Sequence, residues 1–230
     1  MLVGRKAVEK LSLSHVYIAG IGGVGSYTAE ALARAGIGQL TLHDADTVAL
    51  SNINRQLVAL HSTIGQHKTA IMKQRILDIN PQCRVITREN FMGVNEMASV
   101  LEGHYDAVVD AIDIKNCKLA FLTHAHRKGY NLYSSLGAGN RLDPTKVRSG
   151  DFFDSRHCRL AKALRKRLRH AGIHQGIKAV WSDELGRPPL LPLEEQAYER
   201  LPQGTISTIP ALFGIMLAGL VIKDMIDDSK

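Results

Sequence analysis

Short apolar runs alternate with segments of helical period along the first 140 residues. His15–Ala19 is a five-residue run that ends at a cluster of glycines, which predicts a strand. Residues 26–34 place Ala29, Leu32 and Ala33 on one side of a helix, and Gln39–His43 reads as a second strand. Lys68–Ile79 carries Ile71, Met72, Ile76 and Ile79 at helical spacing and stops ahead of Pro81. The alternation continues with a strand over 84–87, a helix over 95–101 and a strand over 107–112. A helix over 115–128 and a strand over 131–135 complete it. Apolar strands that barely alternate, joined by helices, predict an α/β fold. The expected architecture is a Rossmann-like, mostly parallel sheet with helices on both faces.

The pattern changes after Gly139. Residues 158–171 form a basic amphipathic pattern with a narrow stripe of Leu160, Leu164 and Leu168. A strand is expected over 177–181, and a loop over 185–193, where Pro188, Pro189 and Pro192 fall. A strand over 205–209 then leads into a long buried helix over 210–226 with Pro210 in its first turn. Residues 1–140 are therefore expected to carry the nucleotide site. Residues 141–230 form an extension, a basic helix followed by strand and helix, packed on the same domain. The most apolar stretch, 206–222, is interrupted by Ser207, Thr208, Pro210, Gly214 and Gly219. A spanning helix needs about 20 apolar residues, so this stretch reads as core and no integral membrane segment is expected.

Composition adds limits. The chain has 230 residues, 45% hydrophobic and 22% charged, which suits one full-sized globular domain and excludes disorder or a fibrous protein. Cys83, Cys117 and Cys158 are far apart and form no C-x-x-C pair, so no cysteine zinc site or disulfide framework is expected. Sparse cysteines and an N-terminus without a long apolar run point to the cytoplasm. The net charge of +7 sits in one place. Eight cations, from Arg156 to Lys178, occupy residues 155–182 with no acid among them. Without them the chain carries one more acid than base. A local excess of this kind points to an anionic partner.

The chemistry begins at Gly20-Ile-Gly22-Gly23-Val-Gly25. A G-x-G-x-x-G between a strand and a helix lets backbone N–H groups approach phosphate oxygens, and the helix N-terminus adds positive potential. Asp44, at the end of the second strand, stands where a ribose hydroxyl is held. Asp44-Ala-Asp46 runs on to Asn54-Arg55-Gln56 and Gly65-x-x-Lys68. A dinucleotide has one pyrophosphate, which a glycine turn handles alone. Cations at Arg55 and Lys68 fit a triphosphate, whose leaving pyrophosphate needs them. Asp113, just past the strand at 107–112, would emerge at the same sheet edge as a Mg²⁺ ligand.

In order along the chain, residues 20–26, Asp44-x-Asp46, Asn52-x-Asn54-Arg55-Gln56, Gly65-x-x-Lys68 and Asp110-x-x-Asp113 resemble the ubiquitin-activating-enzyme-like adenylyltransferases. These are the superfamily of the sulfur-carrier activators of thiamine and molybdopterin synthesis. Asp143-Pro144-Thr145, the basic helix, and Gly204-Thr-Ile-Ser207 with Pro210 are similar to the branch that dehydrates threonylcarbamoyladenosine in tRNA. The resemblance implies ATP and Mg²⁺ as cofactors. Asp46 with Asp44 would address the ribose, Asn54 and Arg55 the phosphates, Lys68 the triphosphate through the transition state, and Asp113 the metal. It implies a homodimer and tRNA as partner. Relatives carry an N-terminal arm whose Arg reaches the partner subunit's ATP; Arg5 is the nearest Arg here and is not assigned that role.

The alternative is an adenylyltransferase acting on the C-terminus of a ubiquitin-like sulfur-carrier protein. A transthiolating form would need a cysteine after the sheet, where Cys158 lies among Arg156, His157 and Arg159. Structural packing is the expected role for Cys158, as it is for Trp181. An oxidoreductase and a non-catalytic nucleotide-binding scaffold remain as lesser alternatives.

Overall fold

The computed structural model describes residues 2–188 and 204–227, with Ala98 described by its backbone only. Seven strands form one sheet in the order β3-β2-β1-β4-β5-β7-β6. These are β1 (His15–Ala19), β2 (Gln39–His43), β3 (Arg84–Arg88), β4 (Ala107–Asp110), β5 (Leu132–Ser135), β6 (Val147–Asp151) and β7 (Ile177–Ser182). Every pairing is parallel except β6 with β7. The chain winds outward from β1 to β2 and β3, then returns to place β4 on the other side of β1. Ligands bind at such a reversal, beyond the carboxyl ends of the strands.

Helices cover both faces. Along one face run α2 (Gly25–Arg34), α3 (Lys68–Ile79) and α7 (Thr208–Asp227), which close over Ile18, Leu40, Leu42 and Val109 with Leu32, Met72, Phe213 and Leu217. The other face is covered by α5 (Lys115–Arg127) and α6 (Arg159–His170). There Tyr17, Val108, Phe121, Leu164, Leu168 and Trp181 form a second core. Two short helices complete the set, α1 (Gly4–Leu13) and α4 (Met97–Val100).

Four elements differ from the sequence expectation, the first being α1, which forms where the pattern predicts no element. β6 has the sequence Val-Arg-Ser-Gly-Asp and buries only Val147; as a polar edge strand it has no apolar signature. The helix expected over 95–101 contracts to the four residues of α4. The strand expected over 205–209 does not form. Its backbone instead bonds to loops: Asn140 N–H donates to Gly204 O at 2.7 Å, and Asn54 Nδ2 donates to Thr205 O at 2.9 Å. The segment is therefore a strap across the carboxyl edge of the sheet, and α7 starts at Thr208 with Pro210 in its first turn. Of the loop expected over 185–193, residues 189–193 lie outside the described residues.

α7 is long and apolar enough to cross a membrane by length and composition alone. It packs as a core helix, with Ile209, Phe213, Leu217, Val221 and Met225 buried. Gly214 lets it cross α2 closely, since a Cβ there would stand 2.4 Å from Val24 O. Thr28 Oγ1 donates to Gly214 O at 3.1 Å across the same crossing.

Candidate active site

The glycine turn leaves β1 at Gly20, whose φ of +89° suits glycine. A Cβ at Gly20 would lie 2.7 Å from Ala111 O, so the turn rests against the loop that follows β4. A Cβ at Gly25 would lie 1.8 Å from Gly20 O. Gly22 packs on the Gln56 carboxamide, and Gly23 packs between Arg55 and Pro210. No side chain caps the N-terminus of α2 among the described residues. Ser26 N–H is taken by Gly22 O at 3.2 Å, and a helix start without a side-chain cap is the arrangement that attracts phosphate.

The two acids after β2 divide their roles. Asp44 is buried; its Oδ2 accepts Ile21 N–H at 2.6 Å and its Oδ1 accepts Asp46 N–H at 2.9 Å. Its carboxylate braces the turn through one N–H on each oxygen, and each oxygen keeps a second acceptor site. Asp46 is exposed and pairs with Lys68 Nζ at 2.7 Å. Lys68 opens α3 and is itself buried, with its ammonium turned to the Asp46 carboxylate.

Arg55 donates from Nη1 to Ser51 O and to Asn54 Oδ1, both at 2.9 Å. Asn54 in turn holds Thr205 O, so this pair ties the crossover after β2 to the strap. Arg55 stands beside the glycine turn, where the Gly23 Cβ position is 3.4 Å from its Cγ. Gln56 is buried and its Oε1 has no partner among the described residues. Asp113 is exposed in the loop between β4 and α5. β2, β1 and β4 are consecutive neighbours, so the Asp44–Asp46 loop and the Asp113 loop stand about 10 Å apart across the turn. That span suits a nucleotide with its phosphates.

Sequence reasoning missed a buried pair beneath Asp113. Lys118 Nζ lies 2.6 Å from Asp110 Oδ2, both side chains 0% exposed. Burial pushes the Asp110 carboxyl above its usual range, while the Lys118 ammonium, the Ser134 hydroxyl and the Ile112 N–H pull it back. The signal was available: Lys118 falls on the same helix stripe as Phe121, Leu122 and Ala125, where an apolar residue is expected. The Thr205 carbonyl on the strap was missed because that segment was read as a strand.

Farther along the edge, Asp143 accepts from Thr145 N–H at 2.9 Å and from its hydroxyl at 2.6 Å. These bonds hold its carboxyl below the usual range and cap the turn into β6. Cys158 is buried and accepts Ala161 N–H at the start of α6, a capping role. Trp181 is buried and donates to Asp183 Oδ1 at 2.8 Å, the position of a core anchor.

The basic stretch splits in two. Arg159, Lys162, Lys166 and Arg169 are exposed on α6 at spacings of three, four and three, one stripe of the helix. None of the four is in an ion pair among the described residues; Arg169 lies over the Phe153 ring. Arg165 is turned inward to Ser155. Lys178 does not join the stripe: it points to the opposite sheet face and pairs with Asp224 of α7.

Comparison with known proteins agrees with this geometry along the whole chain. The tRNA threonylcarbamoyladenosine dehydratase of Bacillus subtilis (strain 168) is 35% identical over 239 residues, covering 99% of this chain and 93% of that protein. The crystal structure of the E. coli tRNA N6-threonylcarbamoyladenosine dehydratase in complex with ATP superposes with a TM-score of 0.89 at 34% identity. It covers 99% of this chain and 91% of that one. Similarity to the molybdopterin-synthase adenylyltransferase of E. coli (strain K12) is 38% over 105 residues, 46% of this chain and 42% of that protein. The ThiF family model matches residues 1–229, and the chain belongs to that family.

Proposed function

We propose that this chain activates the carboxylate of threonylcarbamoyladenosine in tRNA with ATP and closes it into a ring with net loss of water. The observation that carries the reading is the arrangement of cations around the glycine turn. Arg55 packs against Gly23, and the buried Lys68 ends at the exposed Asp46. The whole-length similarity to dehydratases favours tRNA over a carrier protein, since similarity to the molybdopterin-synthase adenylyltransferase covers less than half of the chain.

The residues fit ATP. The glycines let the turn fold tightly on itself and on the loop after β4, and the start of α2, without a side-chain cap, supplies N–H donors. Asp46, paired with Lys68, and Asp44, which braces the turn, are the two carboxylates for the ribose. Asn54 and Arg55 face the phosphates from the crossover. Asp113 is an exposed carboxylate at the same edge and fits a Mg²⁺ ion, which would screen phosphate charge when bound.

The substrate carboxylate oxygen attacks the α-phosphorus, and the α–β bond breaks with pyrophosphate leaving. Arg55 and Lys68 stabilise the charge that develops on the leaving group. The carbamoyl nitrogen or oxygen then attacks the activated acyl carbon, AMP departs, and a proton is released. The oxygen lost from the substrate leaves on AMP, which accounts for the missing water.

The exposed stripe of α6 is the surface for the tRNA backbone. The chain works as a homodimer in the cytoplasm. The test is ATP–pyrophosphate exchange with tRNA carrying threonylcarbamoyladenosine, set against a small sulfur-carrier protein. Exchange with the tRNA, together with a nucleoside lighter by one water, is expected. Exchange with the carrier alone would reverse the choice of substrate.

A further inference from the structure

The ion pair beneath the site has a geometry that packing alone does not require. Asp110 ends β4 and Lys118 lies one turn into α5. Between them they hold one residue by both of its backbone groups. Asp110 Oδ1 accepts Ile112 N–H at 3.1 Å, and Lys118 Nζ donates to Ile112 O at 3.1 Å. Ser134 Oγ donates to Asp110 Oδ2 at 2.6 Å from β5 and fixes the carboxylate. Ile112 immediately precedes Asp113. Ala111, on its other side, donates its N–H to Ala19 O at 2.8 Å and presents its carbonyl to the Gly20 turn. The short loop is thus clamped between the phosphate turn and the pair.

Buried ion pairs are costly, and well-packed apolar residues of similar volume often serve stability as well or better. An apolar pair here would leave the Ile112 N–H and C=O without partners, and buried backbone groups are rarely left so. We propose that Lys118 is a positioning residue for the reaction: with Asp110 and Ser134 it fixes the Ile112 peptide, and through it the direction of the Asp113 carboxylate. This inference rests on the reading of Asp113 as the Mg²⁺ ligand. Groups that orient a metal ligand from behind typically change metal affinity about 10- to 100-fold when removed.

The test uses the full chain and α,β-methylene-ATP, titrated by calorimetry with and without Mg²⁺. Mg²⁺ is expected to tighten binding to the unmodified protein. Lys118→Met is expected to lose about tenfold of that gain while binding the metal-free analogue within about twofold of the parent. In an Asp113→Asn background, where the gain is already lost, Lys118→Met is expected to remove nothing further. Ser134→Ala is a milder change that keeps the fold if Lys118→Met does not, and it is expected to lose about threefold of the gain by the same route. Equal losses with and without Mg²⁺, or additive losses in the Asp113→Asn background, would overturn the positioning role and leave the Asp113 reading standing. An Asp113→Asn protein with its full Mg²⁺ gain would overturn both.

Discussion

Asp44 and Asp46 are two residues apart and serve different ends. The buried Asp44 is an acceptor for two backbone N–H groups, whereas the exposed Asp46 faces the site beside Lys68. Asp44→Ala should leave a buried Ile21 N–H unpaired and lower the unfolding free energy by about 1–3 kcal/mol, measured in urea. Asp46→Ala should lower stability, because it strips the buried Lys68 ammonium of its acid partner, and raise the KM for ATP. Lys68→Ala should lower kcat about 10²- to 10³-fold while ATP affinity falls less than about tenfold, because a cation facing developing charge contributes most in the transition state. Pre-steady-state binding and single-turnover measurements separate the two. Which acid braces the turn was not legible in the sequence, since both follow β2 and only the turn's path decides which one Ile21 reaches. Lys118 was hidden for a related reason: a lysine on an apolar stripe reads as an exception until the carboxylate facing it from β4 is seen. The placing of the glycines after β1 and of Asp113 after β4 was legible from the strand pattern, whereas Arg55 and Lys68 lie in the crossover after β2.

At the scale of elements, α2 and α3 are joined at the surface through Glu30, which accepts from Arg34 and from Arg75. Partial burial would raise the Glu30 carboxyl, but the two guanidinium groups outweigh it and hold the carboxyl below its usual range. A carboxylate lowered in the folded state adds stability above its unfolded pKa, and that stability is lost as pH falls through the folded value. Urea midpoints taken from pH 7 down to pH 3 should therefore fall more steeply for the parent than for Glu30→Gln. The basic helix α6 makes a second prediction. Replacing Arg159, Lys162 and Lys166 with Ala should reduce the salt slope of tRNA binding by about two to three, with ATP affinity unchanged, as read by filter binding over a range of KCl. The α6 helix was legible from its leucine stripe. β6 was not, because a polar edge strand owes its place to β7 rather than to its own residues.

At the scale of the whole molecule, α7 is apolar on both of its sides. Ile215 is exposed, and Leu212, Met216, Leu220 and Ile222 are half-buried, opposite the face that packs on α2. A helix that is apolar all round is ordinarily covered all round. A second copy, related by a two-fold axis, covers such a face with like against like. Light scattering at micromolar concentration should give a dimer, and Ile215→Glu should shift it toward monomer. A parent protein that is monomeric and fully active would contradict this. The α/β class was legible from the strand and helix alternation. The strap over the sheet edge was not, because its short apolar run has the pattern of a strand and only its bonds to Asn54 and Asn140 show otherwise.

The order of strands also governs how the chain is made. β6 emerges from the ribosome before β7, yet its neighbour in the sheet is β7, which is inserted between β5 and β6. Until residue 182 is available, β6 has nothing to pair with, and α6 in the connection has no completed sheet to lie on. Synthesis thus presents the cationic helix while its leucine stripe is still uncovered. The nascent chain must keep residues 147–176 waiting until the next strand arrives. Even then the sheet's other face stays open near β5 and β7 until α7 closes over it. The nucleotide turn at residues 20–25 is translated well before its neighbour Pro210. Assembly of that edge of the sheet therefore waits for α7, and a chain stalled before α7 would expose apolar surface to the cell's quality-control machinery.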